Sequence, residues 1–93
     1  MSTADHGEVL AVRIRAALPE FRGFPVRVDA GEEDLVFVAL RGAKREEKAG
    51  EALAEAVDKI VGAYLKEVAP QGDFGIIMGR GNRDLLLRVE IRL

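Results

Sequence analysis

The residue types that carry covalent or acid–base chemistry are nearly missing from this chain. It has no cysteine, one histidine (His6) and one tyrosine (Tyr64), and its only other hydroxyl or amide side chains are Ser2, Thr3, Gln71 and Asn82. Nucleophilic catalysis needs a Ser, Thr, Cys or Lys held beside a base. With the aliphatic hydroxyls confined to the first three residues, the usual triads are excluded, and a protein that is not an enzyme is expected. His6 falls at a helix start, where a solvated side chain is a simpler assignment than a catalytic base or metal ligand. Glu32, Glu33 and Asp34 cluster in a turn, and three adjacent acids at a hairpin tip are more often a solvated loop than a calcium or magnesium site. No metal and no other cofactor is expected.

The most suggestive local sequence is Gly79-Arg80-Gly81-Asn82-Arg83. Glycines expose backbone donors and arginines fork onto phosphate oxygens, so Arg80, Gly81, Asn82 and Arg83 form a candidate anion or nucleic-acid contact. Turn chemistry accounts for the same glycines and Asn. The spacing fits neither a P-loop, nor a dinucleotide fingerprint, nor the helix-flanked clamp of a KH domain. A net charge of −2 argues against bulk attraction to nucleic acid without excluding a local patch. The run Lys44-Arg45-Glu46-Glu47-Lys48 balances its signs, as a salt-bridged helix surface does.

The elements that position these residues follow from length and periodicity. At 93 residues, 48% hydrophobic and 32% charged, the chain is expected to be one domain, residues 1–93. Such a short chain builds a limited core, which favours a homodimer. No apolar run approaches the roughly 20 residues of a membrane span, and residues 1–5 lack the basic and apolar regions of a signal peptide. A cytoplasmic location and no membrane partner are expected. Abundant Glu, Arg and Lys beside so few uncharged polar residues resembles the bias of heat-adapted proteomes.

An ungapped shift of 50 residues aligns Phe24 with Phe74, Gly31 with Gly81, Asp34 with Asp84 and Phe37 with Leu87, and sets Leu10, Ile14 and Leu18 on Ile60, Tyr64 and Val68. Both halves, about 5–41 and 44–93, therefore read helix, strand, strand. The first helix starts at Asp5, which with Glu8 forms a capping box, and ends before Pro19. The second runs from about Lys44 to Val68, with Leu53, Val57, Ile60, Val61, Tyr64 and Val68 on one face and a charged, overhanging start that includes Gly50. Tyr64 is expected to be a core residue with its hydroxyl at the rim.

A tight turn at Glu32-Glu33 would pair Ala30 with Leu35, Val28 with Phe37 and Val26 with Ala39. The same geometry at Asn82-Arg83 would pair Met78 with Leu87, Ile76 with Val89 and Phe74 with Ile91, all facing the helices. Val36, Val38, Leu40, Ile77 and Leu86 would then form an apolar centre on the uncovered face, rimmed by Arg27, Asp29, Arg88, Glu90 and Arg92. Both Phe37 and Phe74 would face the helices, leaving the open face without an aromatic platform for RNA.

The element order αββαββ is that of the ferredoxin-like βαββαβ fold with its first strand moved to the end. An α+β domain with a four-stranded antiparallel sheet ordered 1-2-4-3 and both helices on one face is expected. The sequence points first to an interaction or dimerisation module using its uncovered sheet face. The alternative is nucleic-acid or phosphate-ligand binding through the Gly79–Arg83 loop and the arginines of the last strand.

Overall fold

The computed structural model describes residues 5–32 and 34–93. Helix α1 (His6–Ala17) begins where sequence chemistry puts it: the Asp5 side chain accepts the Glu8 backbone N–H at 3.2 Å. It ends at Leu18, before Pro19, and buries Leu10, Ala11 and Ile14. Two short antiparallel segments follow, β1 (Glu20–Phe21) and β2 (Phe24–Ala30), joined by Arg22 and Gly23. Both linking residues have positive φ, 52° and 87°, as a two-residue hairpin turn of right-handed twist requires.

Strand β3 (Leu35–Leu40), helix α2 (Glu47–Val68), β4 (Asp73–Arg80) and β5 (Leu85–Arg92) complete the chain. The sheet is antiparallel and runs β1-β2-β3-β5-β4. It has five strands where four were expected, the extra one being the two-residue β1. The four longer strands lie in the order β2-β3-β5-β4.

Helix α2 starts at Glu47 rather than Lys44. Its first turns do not overhang: Ala49 and Gly50 are buried, and a Cβ on Gly50 would come within 2.6 Å of Leu85 Cδ2. The glycine thus lets the helix settle directly onto β5. At the other end Leu65 takes the buried position expected of Val68, which is exposed.

The core lies between the helices and one sheet face, with Leu10, Ile14, Leu53, Val57 and Val61 packed on Val36, Val38, Leu40, Leu85, Leu87 and Val89. Three of those residues correct the sequence-based assignment. Val36, Val38 and Leu40 have no solvent exposure, whereas Phe37 is 42% exposed on the opposite face.

The cause is a register one residue away from the expected one: Val28 pairs with Val38, Val26 with Leu40 and Ala30 with Val36. A shift of one residue inverts a strand completely. In the second hairpin Met78 pairs with Leu87, Ile76 with Val89 and Phe74 with Ile91, as expected. The two hairpins differ in loop length. Gly31 donates to the Leu35 carbonyl across the first loop, while Gly81 donates to the Asp84 carbonyl across the second, one residue shorter. The ungapped 50-residue alignment therefore fails beyond the turns.

Candidate functional site

The helix-free face of the sheet is set by strand parity. The ladder places Asp29, Phe37, Arg88 and Ile77 in one row across β2, β3, β5 and β4, and Arg27, Ala39, Leu86 and Gly79 in the next. Phe37, Leu86 and Ile77 are its exposed large apolar residues, with 42%, 38% and 52% exposure, and Leu35 lies half-buried on the same parity. A Cβ on Gly31 would meet the Phe37 ring at 2.5 Å and one on Gly81 would meet Leu86 at 3.3 Å. Each hairpin glycine thus leaves room for an open-face side chain.

Charges stand among and beside these residues in opposite pairs. Arg27 bridges Asp29 at 3.0 Å, Arg88 bridges Glu90 at 2.8 Å, Arg41 bridges Asp84 at 3.4 Å and Arg92 bridges Asp73 at 3.5 Å. Most of these side chains are half exposed or more, so each pair contributes at most about 1 kcal/mol to the fold. Their consequence is a face that is charged in detail and neutral in sum. Two shallow hollows, of about 340 and 250 Å³, flank the Phe37–Leu86 ridge.

Of the residues expected on this face, Ile77, Leu86, Arg27, Arg88, Glu90 and Arg92 are there. Val36, Val38 and Leu40 are not, and Phe37 occupies the centre they were assigned. Sequence reasoning missed Phe37 because β3, Leu-Val-Phe-Val-Ala-Leu, is apolar on both parities and carries no polar residue to mark its outer side.

The candidate anion loop separates. Arg80 lies on the helix side of β4 and reaches Glu47 at 3.4 Å, while Gly81 closes the turn and Asn82 and Arg83 line a depression with Lys44 and Arg45. Among the described residues no three His, Cys, Asp or Glu side chains group to hold a metal; Glu33, part of the acidic turn, lies outside them.

His6 is not simply solvated. It is half-buried and its Nδ1 lies 2.6 Å from the Tyr64 hydroxyl, with the rings edge to face. Tyr64 is buried, and the Arg13 guanidinium sits 4.9 Å from its ring centre. Burial raises the phenol above its usual pKa, and Asp34 and Glu67 add to the rise while Arg13 opposes it. This cluster ties the start of α1 to α2.

Compared with known protein families, curated proteins and solved structures, the chain matches none. No described helix is long and apolar enough to cross a membrane.

Proposed function

We propose that this chain is a small non-enzymatic interaction module that forms a homodimer by stacking its open sheet face on that of a second copy. One observation carries the reading: Phe37, Leu86 and Ile77 stand exposed on a face whose four arginines and four carboxylates balance one another in ion pairs, Arg88–Glu90 between the apolar side chains and the other three pairs around them. A face with equal numbers of both charges can be complementary to itself under a two-fold rotation, because an arginine of one copy can meet a carboxylate of the other. Four strands about 4.8 Å apart and about seven residues long at about 3.4 Å each give a flat outline on the order of 450 Å². Side-chain relief enlarges that area towards the roughly 800 Å² per partner of a standard interface.

The alternative, nucleic-acid binding through the 79–83 loop and the strand arginines, gains an aromatic platform from Phe37. It loses more than it gains, since Arg80, Arg88 and Arg92 each already hold a carboxylate. The αββαββ order also supports reading the four longer strands as a permuted ferredoxin-like sheet with β1 as an addition, an analogy that carries no function. The absence of cysteine accords with a reducing, cytoplasmic setting.

Sizing with light scattering over a concentration series tests the proposal. The wild type is expected to dimerise, and Phe37→Glu to give a folded monomer with an unchanged circular-dichroism spectrum. A wild type that stays monomeric at high micromolar concentration, or a Phe37→Glu variant that dimerises like it, overturns the reading.

A further inference from the structure

Two loops meet at one end of the sheet and are tied together there. Gly42 N–H donates to Asp84 Oδ1 at 2.9 Å, Lys44 N–H donates to the Arg83 carbonyl at 3.0 Å, and Arg41 bridges the same Asp84 at 3.4 Å. Gly42 adopts a φ of 81°, a conformation that a side chain would strain. Between the loops lies a depression of about 480 Å³ lined by Gly42, Lys44, Arg45, Glu46, Asn82 and Arg83. It is within the size range of small-ligand sites.

What distinguishes it is the grouping of its cations. Six arginines elsewhere each bridge a carboxylate; among the described residues Lys44, Arg45 and Arg83 bridge none, nor do Arg15, Arg22, Lys48, Lys59 and Lys66, but Lys44, Arg45 and Arg83 line one hollow together. Three unneutralised cations from segments some forty residues apart thus converge on one hollow, against the single carboxylate of Glu46, in a chain whose net charge is −2. Convergence of like charges costs free energy unless an anion occupies the space between them. The loop-to-loop bonds hold the cations' backbones in place, so the ordering left to oppose binding is that of their exposed side chains.

We propose that this depression binds a compact phosphate-bearing anion, a phosphomonoester or diphosphate group. Arg83 and Arg45 supply planar forks for phosphate oxygens, Lys44 a point charge and Asn82 an uncharged amide donor. A nucleic-acid strand is disfavoured because a polymer needs cations continuing beyond the hollow. On the neighbouring positions Arg41 and Arg80 are taken by Asp84 and Glu47.

Calorimetric titration at low salt tests this with three probes: inorganic phosphate, pyrophosphate and a short oligodeoxythymidine. Pyrophosphate is expected to bind more tightly than inorganic phosphate, with affinity falling as salt rises. Arg83→Gln and Lys44→Gln should each weaken it by about tenfold. Arg80→Gln, which removes a cation already bridged to Glu47, should leave the affinity unchanged, and so should the open-face variant Phe37→Glu. The proposal is overturned if wild type and Arg83→Gln give the same pyrophosphate isotherm, or if Arg80→Gln weakens binding as much as Arg83→Gln does. An oligonucleotide that outcompetes pyrophosphate with affinity growing with length also overturns it, in favour of a polyanion track.

Discussion

Replacing Val38 by threonine exchanges one methyl for a hydroxyl at nearly constant shape, so it asks a single question: does this side chain face oil or water? Val38 has no exposure, lies between Val28 and Leu87 in the ladder, and belongs to a core without buried polar side chains among the described residues. A hydroxyl there loses its water and finds no side-chain partner, which costs about 1–3 kcal/mol in mutational experience. For a domain of this length each kcal/mol moves the melting midpoint by roughly 4–8 °C, so a fall on the order of 10 °C is expected.

Ala39→Thr, one residue further, places the same hydroxyl on the half-buried open face, where water can reach it and a β-branched residue suits the strand. Its effect should stay within about 0.5 kcal/mol. Urea denaturation of both variants at low protein concentration, where self-association does not contribute, provides the comparison. If Ala39→Thr proved the costly change and Val38→Thr the harmless one, the register of β3 and everything built on Phe37 would be wrong.

Other consequences follow from single sites. Tyr64→Phe removes the hydroxyl shared with His6 and should cost about 1 kcal/mol at neutral pH, read by thermal melts. Because burial raises the folded-state pKa of Tyr64, the folded protein holds that proton more tightly than the unfolded chain. The associated stability is complete below the ordinary tyrosine value of 10.0 and is lost as pH climbs through the raised value. Tyr64→Phe melts should therefore decline less than wild type at strongly alkaline pH; equal slopes would contradict the assignment. Gly62 lies inside α2, where an added Cβ would meet nothing within 4 Å, so Gly62→Ala should stabilise by about 0.5–1 kcal/mol in urea melts. Asp84→Ala leaves the Gly42 N–H and Arg41 without their acceptor and should lower stability by about 1–2 kcal/mol, with amide exchange rising first at Gly42.

The legible parts of this fold are those where sequence alternates chemically. Arg88, Glu90 and Arg92 interleaved with Leu87, Val89 and Ile91 fix both the faces and the register of the second hairpin, and Asp5, Glu8 and Pro19 bracket α1. Strand β3 offers no such contrast, because both of its faces are apolar, so the length of the loop before it decides which face is buried. One extra residue in that loop reverses the assignment and moves the centre of the open face from Val38 to Phe37. Strand β1 was invisible because two residues carry no period; its only trace is Gly23 following Arg22 between two phenylalanines. The basic depression was legible only by half. Asn82 and Arg83 belong to the loop read as a candidate anion contact, but Lys44 and Arg45 read alone as a solvated surface, and the Asp84 carboxylate that joins the two stretches spans 42 residues of sequence.

A chain without cysteine allows one reporter thiol to be placed at will, and Ala39→Cys puts it beside Phe37 and Leu86 on the open face. The decisive measurement is the rate at which this thiol reacts with a small soluble alkylating reagent as protein concentration is raised, with Val12→Cys on the exposed side of α1 as reference. Pairing of open faces predicts that the Ala39→Cys rate falls steeply as the protein is concentrated while the Val12→Cys rate holds constant. Equal, concentration-independent rates at both positions would contradict it.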